Sequence, residues 1–423
     1  MARSSDKSGA TAQGATRRKM ALLICILLPL TNCALPERLA AVPQDETTLA
    51  QIPGIPNARF FPDTQIELMA RETLAARQRE IDSLARAGHR GPLPETNILA
   101  VSGGGEDGAF GAGLLTGWTE TGSRPEFKLV TGVSTGALTA PFAFLGSAWD
   151  KQLTDVYTGI TPDDIFEKRG ITAVIWNDAM SDTTPLWRLI SRYANQEMLT
   201  AIAQEYEKGH LLLIGTTDLD AHRPVIWNIG AIAASGQPEA LDLFRKILLA
   251  SSAVPAVFPP VLIDVEVNGH RHQEMHVDGG AIAQMFLYPP ALAQAPEFRG
   301  VGRRPVRAWL IRNSRLDPQW ASVERQTMSI AQDAITTMIQ MSGMNDVNRI
   351  YLTTQRDHVD FNLAYIDRDF TQKSTGDFNH DFMVALYDYG RAKARAGYPW
   401  AKLPPWIPAS ETYFAATPTQ RAR

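Results

Sequence analysis

The segment FKLVTGVSTGAL, residues 127–138, places a serine hydroxyl where it could act as a nucleophile. Its composition predicts a strand, a sharp turn and a helix, with Gly132-x-Ser134-x-Gly136 at the turn. The flanking glycines remove side chains that would clash in a strained elbow, so the Ser134 hydroxyl projects from the strand tip in front of the helix dipole. This context favours a nucleophile over an ordinary turn serine.

A glycine-rich turn lies upstream, in LAVSGGGEDGAFGAG at residues 99–113. An apolar strand is expected before Gly103, Gly104 and Gly105, and a helix after them. Free backbone N–H groups at a helix N-terminus stabilise negative charge, either on a phosphate or on a transient oxyanion. The spacing of these glycines to Gly108 also fits a dinucleotide-binding loop, or a tight turn without a ligand.

Two acidic residues, Glu106 and Asp107, lie at the centre of this loop. A carboxylate beside an oxyanion would oppose it, so both side chains are expected to point away from the reacting carbonyl. A dinucleotide loop needs an acidic residue about 20 positions later, at the end of a second strand. Glu120 and Glu126 are near that distance, but residues 118–126 are typical of a loop, which disfavours the dinucleotide alternative.

A third segment, EMHVDGGA at residues 274–281, delivers Asp278 into a turn formed by Gly279 and Gly280. A carboxylate held there could accept the serine proton directly if a partly dry site raised its pKa. Asp-Gly is also a common turn pair, so Asp278 taken alone could be a turn cap. A Ser–His–Asp triad is the alternative mechanism. Its candidate histidines are His210, His222, His270, His272, His276, His358 and His380.

Together with ASSAVPAVFPP at residues 250–260, these motifs resemble the patatin-like phospholipases over residues 96–291. The resemblance implies a three-layer α/β/α fold with a mainly parallel central sheet. It also implies a lipid acyl hydrolase that acts through a Ser–Asp dyad and an acyl-enzyme, without a metal or cofactor. By this resemblance Ser134 is the nucleophile, Asp278 its proton acceptor, and the N–H groups of residues 103–105 the oxyanion hole.

The sequence departs from that family at Asp107, where a basic residue is common. This departure puts in doubt any electrostatic help from a side chain at this position and any strong preference for anionic lipids. A different class of function is a surface lipoprotein that binds lipid or a partner without turnover. The intact Ser134, Asp278 and glycines disfavour that class, because a protein that performs no chemistry has no need to keep them.

The N-terminus has the pattern of an export signal. Arg-Arg-Lys at residues 17–19 precedes a short apolar run, for which a single uncleaved anchor helix is the alternative. LTNC at residues 30–33 resembles a bacterial lipoprotein cleavage box, except that Asn32 precedes the cysteine. Residues 1–33 are therefore predicted to be a signal, with Cys33 as a candidate for lipidation. The mature protein is expected in the cell envelope, associated with a membrane through its N-terminus.

The rest of the chain is predicted to form one catalytic domain with extensions. Residues 34–60 are rich in Pro, Gln and Ala and are typical of a tether, and residues 61–95 are predicted to be an N-terminal helical extension. The catalytic domain is predicted at residues 96–291. Residues 292–423 are expected to pack on that domain as an extension, because no obvious linker separates them.

Composition excludes several classes of function. The net charge of −4 lacks the basic bias of a nucleic-acid-binding protein. The two cysteines of the chain both lie near the N-terminus, so the main body has no structural disulfide and no Cys/His cluster for zinc. The resemblance, rather than the composition, implies a membrane lipid or another acyl-ester substrate as the partner.

Overall fold

The structure is a computed structural model. It describes residues 38–165, 167–168, 181–255, 257–302, 304–318, 320 and 322–408. The predicted signal at residues 1–33, with Cys33, lies outside these residues, so export and lipidation stay predictions. Among the described helices, none combines the length and the apolar character needed to cross a membrane.

Strands and helices alternate in the first and last parts of the described chain, whereas strands follow strands and helices follow helices in the middle. The strands are β1 (Arg59–Phe60), β2 (Thr96–Val101), β3 (Leu129–Val133), β4 (Glu167–Lys168), β5 (Ser181–Asp182), β6 (Leu211–Asp218), β7 (Arg223–Asn228), β8 (Val261–Val267), β9 (His270–Asp278), β10 (Val306–Arg315) and β11 (Asp360–Ile366). The helices are α1 (Ile66–Arg86), α2 (Gly108–Glu120), α3 (Thr135–Leu145), α4 (Asp150–Thr158), α5 (Thr184–Tyr193), α6 (Gln196–Glu207), α7 (Ile229–Ala234), α8 (Ala240–Ser251), α9 (Thr327–Asp357) and α10 (His380–Arg395).

The central sheet contains nine of these strands, and its main path has the order β1-β7-β6-β3-β2-β10-β11. From β6 to β11 all neighbours are parallel. At the other end, β7 joins β6 and β1 joins β7 in the antiparallel direction, and β9 pairs with the end of β6 and with β8. Parallel strands present their carboxyl ends at one edge, where ligands bind in open α/β sheets. The turns after β2 and β3 therefore meet at one edge.

Helices cover both faces of the sheet and give the three-layer α/β/α fold that the sequence predicts. Successive side chains of β2 point to opposite faces, as in any strand. Leu99 belongs to a buried cluster that includes Leu114 of α2, whereas Ile98 belongs to a second cluster that includes Val347 of α9. Burial on both faces explains why β2 is a continuous apolar run rather than an alternating pattern.

The structure corrects the predicted tether at residues 34–60 for the part that it describes, from residue 38 onward. Its β1 pairs with β7, and Gln51 forms an isolated bridge with Glu266 of β8. Ile52 and Ile55 are buried. The segment packs through a few scattered apolar side chains, which produce no periodic pattern in the sequence.

Residues beyond 291 contribute strands to the same sheet, because β10 lies between β2 and β11. Helix α10 packs along α2, and a Cβ on Gly113 would lie only 1.9 Å from the Tyr387 carbonyl oxygen. The described part of the proline-rich C-terminal segment, up to residue 408, makes a bridge to β11. Ala401 and Leu363 exchange two backbone hydrogen bonds of 3.0 and 2.9 Å there.

Candidate active site

The turn between β3 and α3 holds Ser134 in a strained elbow. Its φ of +57° and ψ of −128° place a non-glycine residue in the left-handed half of the backbone map, which costs about 1–3 kcal/mol. A Cβ on Gly132 would lie 2.4 Å from the Gly136 carbonyl oxygen, and one on Gly136 would lie 2.3 Å from the Val101 carbonyl oxygen. The two glycines are therefore required by close backbone approaches, as the motif predicts.

The last residue of β9, Asp278, lies beside this elbow. Its strand position is opposite Thr216 of β6, and its backbone N–H donates to the Ala253 carbonyl at 2.9 Å. The Gly280 N–H donates to Asp278 Oδ1 at 2.7 Å. The Ser134 hydroxyl lies near enough to the same carboxylate to lower its pKa. The structure thus brings together the two residues that the sequence selected, although they are far apart in the chain.

The environment of Asp278 makes it a stronger base than an ordinary aspartate. Burial raises the pKa of Asp278 to about 6, against the opposing effect of Ser134 and of the hydrogen bond from Gly280. Only 4% of the residue is exposed. At neutral pH the carboxylate is therefore ionised, yet it binds a proton more tightly than it would in water.

The segment at residues 250–260 holds both residues in place. Ser251 Oγ accepts a hydrogen bond of 3.0 Å from the Ser134 N–H, and the Ala253 carbonyl holds the Asp278 backbone. Sequence reasoning singled out this segment by its resemblance to the family but gave Ser251 no role. The motif indicated that this segment contributes to the site, but it did not indicate which of its atoms makes the hydrogen bond.

In the glycine loop after β2, one of the three backbone N–H groups predicted to form the oxyanion hole already has a hydrogen-bond acceptor. The Gly103 N–H donates to the Gln284 carbonyl at 3.0 Å, because residues after β9 cross beneath the loop. This amide is therefore already occupied, which corrects its predicted role. In the described part of the chain the Gly104 and Gly105 N–H groups have no acceptor. A Cβ on Gly103 would lie 3.0 Å from Ser134 Cβ, so the loop lies against the elbow.

The neighbouring strand β10 fixes the other side of this loop. The Gly103 carbonyl accepts hydrogen bonds from Ser102 Oγ at 2.7 Å and from Arg312 Nη1 at 3.2 Å. The Asn313 side chain donates to the Ser102 carbonyl at 3.0 Å and accepts from the Gly111 N–H at 3.1 Å. Sequence reasoning missed Arg312 and Asn313, because nothing local in RAWLIRNSR shows that this strand lies beside β2.

The two acidic residues of the loop have different environments. Glu106 Oε2 accepts a hydrogen bond of 2.9 Å from the Asn379 N–H, so this side chain points away from the loop amides. Asp107 is half-buried and interacts electrostatically with Glu106, Arg312 and Arg315. Burial, with repulsion from Glu106, raises the pKa of Asp107 to about 7.

Replacement of Asp107 by asparagine is expected to stabilise the fold by an amount that grows with pH. The pKa of this carboxyl is about 7 in the folded protein. In an unfolded chain it is about 3.9. Between those values the folded state keeps a proton that the unfolded state releases, so wild-type stability falls as the pH rises through this range. Thermal unfolding near pH 5 and near pH 8 should show the larger gain in Tm at the higher pH.

The matched control is Asp317→Asn, because the hydrogen bond from Arg315 lowers the pKa of Asp317. A group with a lowered pKa stabilises the fold above its unfolded pKa, so this variant should not gain stability as the pH rises. An equal gain in Tm for Asp107→Asn at both pH values would contradict the raised pKa of Asp107 in the folded protein.

None of the candidate histidines is hydrogen-bonded to Ser134 or Asp278 within the described residues. His276, which precedes Asp278 by two residues, instead contacts Thr216 Oγ1 through Nδ1 at 3.0 Å and Glu274 Oε2 through Nε2 at 3.1 Å. It belongs to a buried network next to β9. This geometry gives the alternative triad no support.

One group of side chains in the described chain has the spacing of metal ligands. One ligand atom from each of Asp218, Glu274 and His276 lies within 4.8 Å of the others. The Arg59 guanidinium, however, already binds both carboxylate oxygens of Glu274. This cation balances the charge of Glu274, so we interpret the cluster as an ion-pair network that supports β9.

An apolar cavity of about 230 Å³ begins beside the two candidate catalytic residues. Its walls include Val133, the residue before Ser134, and Gly279, the residue after Asp278. A larger cavity of about 760 Å³ between α1 and the sheet shares with it the wall at residues 286–289. Cavities with mainly apolar walls, such as these two, suit the hydrocarbon part of a substrate.

A family comparison agrees with these observations. Residues 99–291 match the family model described as patatin-like phospholipase. No curated protein matches the sequence significantly. Among solved structures, VipD from Legionella pneumophila is 12% identical, with 70% of this chain and 67% of that chain covered and a TM-score of 0.33. Human GIVD cytosolic phospholipase A2 is 10% identical, with 82% and 65% covered and a TM-score of 0.33.

The chain spans about two thirds of the length of these two proteins. The family match covers the glycine loop, the serine elbow and the Asp278 turn, all of which meet at one edge of the sheet. Residues 99–291 of this chain are thus similar to a patatin-like phospholipase domain.

Proposed function

We propose that this protein is a lipid acyl hydrolase in which Ser134 attacks an ester carbonyl and Asp278 accepts its proton. The observation that carries the proposal is the position of the Ser134 hydroxyl beside the buried Asp278 carboxylate, near enough to lower the pKa of Asp278. The two residues lie at a strained elbow, within the part of the chain that matches the patatin-like phospholipase family. This match supports lipid hydrolysis as the activity.

The first half of the reaction acylates the serine. Ser134 Oγ bonds to the carbonyl carbon while its proton passes to Asp278, and the carbonyl oxygen becomes an oxyanion. In the proposed reaction the unoccupied Gly104 and Gly105 N–H groups stabilise this charge, and the loss of one such donor typically costs about 3–4 kcal/mol. The C–O bond to the alcohol then breaks, and the alcohol leaves with the proton held by Asp278.

The second half returns the enzyme to its starting state. Water attacks the acyl carbon and gives a proton to Asp278, and a second oxyanion forms against the same amides. Ser134 Oγ leaves with that proton, and the fatty acid is released. The apolar cavity beside Val133 and Gly279 supports an ester whose acyl part is hydrocarbon.

A fluorophosphonate probe tests this proposal, because it reacts with an activated serine and not with an ordinary one. The wild type should be labelled at Ser134, and fatty acid release should be detected from a panel of phospholipids, lysophospholipids and soluble short-chain esters. A lipid-binding protein without catalytic activity would bind the panel but show neither labelling nor release. That result would overturn the proposal.

Arg312 is expected to act as a positioning residue for the oxyanion loop. Its guanidinium is 2% exposed and donates to the Gly103 carbonyl. The same trans peptide carries the Gly104 N–H on its opposite side. A charge-assisted hydrogen bond at the carbonyl holds this peptide in place and polarises it, so the N–H becomes a stronger donor to the oxyanion.

Replacement of Arg312 by methionine is therefore expected to lower kcat by about tenfold to a hundredfold with little change in KM, a smaller loss than removal of a whole donor. Arg312→Lys keeps the charge and should retain more activity. The affinity for a trifluoromethyl ketone, which forms a tetrahedral adduct with the serine, should fall in parallel with kcat.

The matched control is Arg124→Met, since Arg124 is also buried and pairs with Asp150 rather than with the loop. Both variants should lose thermal stability, but only Arg312→Met should lose affinity for the ketone. If the two variants lost kcat in the same proportion to their loss of Tm, Arg312 would have a structural role alone.

A further inference from the structure

The N-terminal half of α9 exposes apolar side chains that the proposed chemistry does not use. Ile330, Ile335, Met338 and Met341 are exposed by between 49% and 71%, and we call these four side chains the apolar face of α9. Successive helical residues are about 100° apart, so three of the four fall within about 80° of one another around the axis. Apolar patches of this kind on a protein surface mark contact sites.

The charge of this half helix indicates what it contacts. Residues 327–345 contain one charged residue, Asp333, and no Lys or Arg. A partner recognised through several ion pairs would require charges that residues 327–345, apart from Asp333, do not carry. A lipid surface requires only that apolar side chains enter the boundary between headgroups and acyl chains.

The other half of α9 is anchored beside the candidate active site. Val347 is buried, and the Asp346 carboxylate accepts a hydrogen bond of 2.7 Å from the Gln284 N–H. A Cβ on Gly343 would lie 2.4 Å from Arg312 Nη2, so the helix packs directly on the guanidinium that holds the oxyanion loop. A single helix therefore connects the apolar face to the support of that loop.

We propose that the apolar face of α9 docks on the surface of a lipid bilayer and brings the candidate active site to esters held there. The identity of the ester rests on the proposed function, whereas the docking itself does not. The helix would lie along the surface, since no described helix has the character of a membrane span. Without basic residues on the face, docking should need no anionic lipid and should depend little on salt.

The test uses phosphatidylcholine vesicles and the double variant Met338→Glu/Met341→Glu. Both positions are exposed and glutamate is a good helix former, so the fold should be kept, which thermal unfolding checks. Cosedimentation is measured in the Ser134→Ala background, so that hydrolysis does not alter the vesicles. The double variant should lose about tenfold or more in vesicle affinity, as expected for two carboxylates placed in a lipid interface.

Two controls make the result specific. Thr336→Glu/Ala75→Glu adds the same charge at exposed positions outside the face and should bind vesicles like the parent protein. With Ser134 present, the Met338→Glu/Met341→Glu protein should hydrolyse a soluble short-chain ester at the parent rate, but vesicle lipid about tenfold more slowly.

Unchanged vesicle binding in the double glutamate variant would overturn the docking proposal. A parent dimer in light scattering that the variant converts to a monomer would also overturn it, because the face would then belong to a second copy. Failure of the proposed function gives a different result, namely that the parent protein hydrolyses no ester while its vesicle binding still depends on the face.

Discussion

Replacement of Ser134 by alanine is expected to abolish ester hydrolysis and fluorophosphonate labelling while the fold is kept. Removal of the serine nucleophile from a serine hydrolase lowers kcat by about a million-fold, because the remaining groups have no covalent intermediate to stabilise. Alanine leaves the Ser134 backbone N–H, which donates to Ser251 Oγ, in place. Release of fatty acid and thermal unfolding, measured on the same preparation, check both parts of this prediction.

The matched control is Ser252→Ala. Ser252 and Ser134 are both 8% exposed, and Ser252 Oγ has no hydrogen-bond partner among the described residues. Its hydroxyl should therefore be dispensable for activity. If Ser134→Ala retained activity within about tenfold of the wild type, the nucleophile would be another residue.

Replacement of Asp278 by asparagine is expected to lower kcat/KM by about a thousandfold to ten-thousandfold, because an amide cannot accept the serine proton. The wild type should also show an acidic limb in its pH profile. Asp278 must be ionised to act as a base, so the rate should rise tenfold per pH unit up to the pKa of about 6 and level off above it. The residual activity of Asp278→Asn should lack this limb.

Two controls separate this prediction from its alternatives. Asp107 also has a raised pKa, so Asp107→Asn should keep the limb near pH 6 if Asp278 is its source. Replacement of each candidate histidine in turn should leave the enzyme active, whereas a triad would lose its activity at one of them. A histidine variant as inactive as Asp278→Asn, with unchanged thermal stability, would refute the dyad.

Local geometry explains why the sequence alone reveals so much of this site. Ser134 lies in a strained elbow that Gly132 and Gly136 permit by the absence of side chains, so the required residue types appear side by side in the chain. Asp278 likewise depends on the amide of Gly280, two residues later. Motifs of this kind can be read without knowledge of the fold, because the contacts that require them are local.

The residues that hold the glycine loop in place could not be predicted from the sequence in the same way. Arg312 reaches the Gly103 carbonyl because β10 lies beside β2, and Gln284 occupies the Gly103 N–H because its segment crosses beneath the loop. Both contacts depend on strand order and register, which join residues that are distant in sequence. The same reason applies to residues 38–60, which resemble a tether by composition but pack on the domain.

The sequence by itself indicated the family resemblance, the α/β class and the choice of Ser134 and Asp278 as the proposed reacting pair. Tertiary structure alone decided which amides remain free for an oxyanion, because Gly103 is occupied while Gly104 and Gly105 are not. It also decided that a buried cation, Arg312, lies behind a loop whose own side chains are acidic. The glycine turns can be predicted from sequence because they depend on local backbone geometry. The hydrogen-bond partners of each atom cannot, because they depend on how strands distant in the sequence pack together.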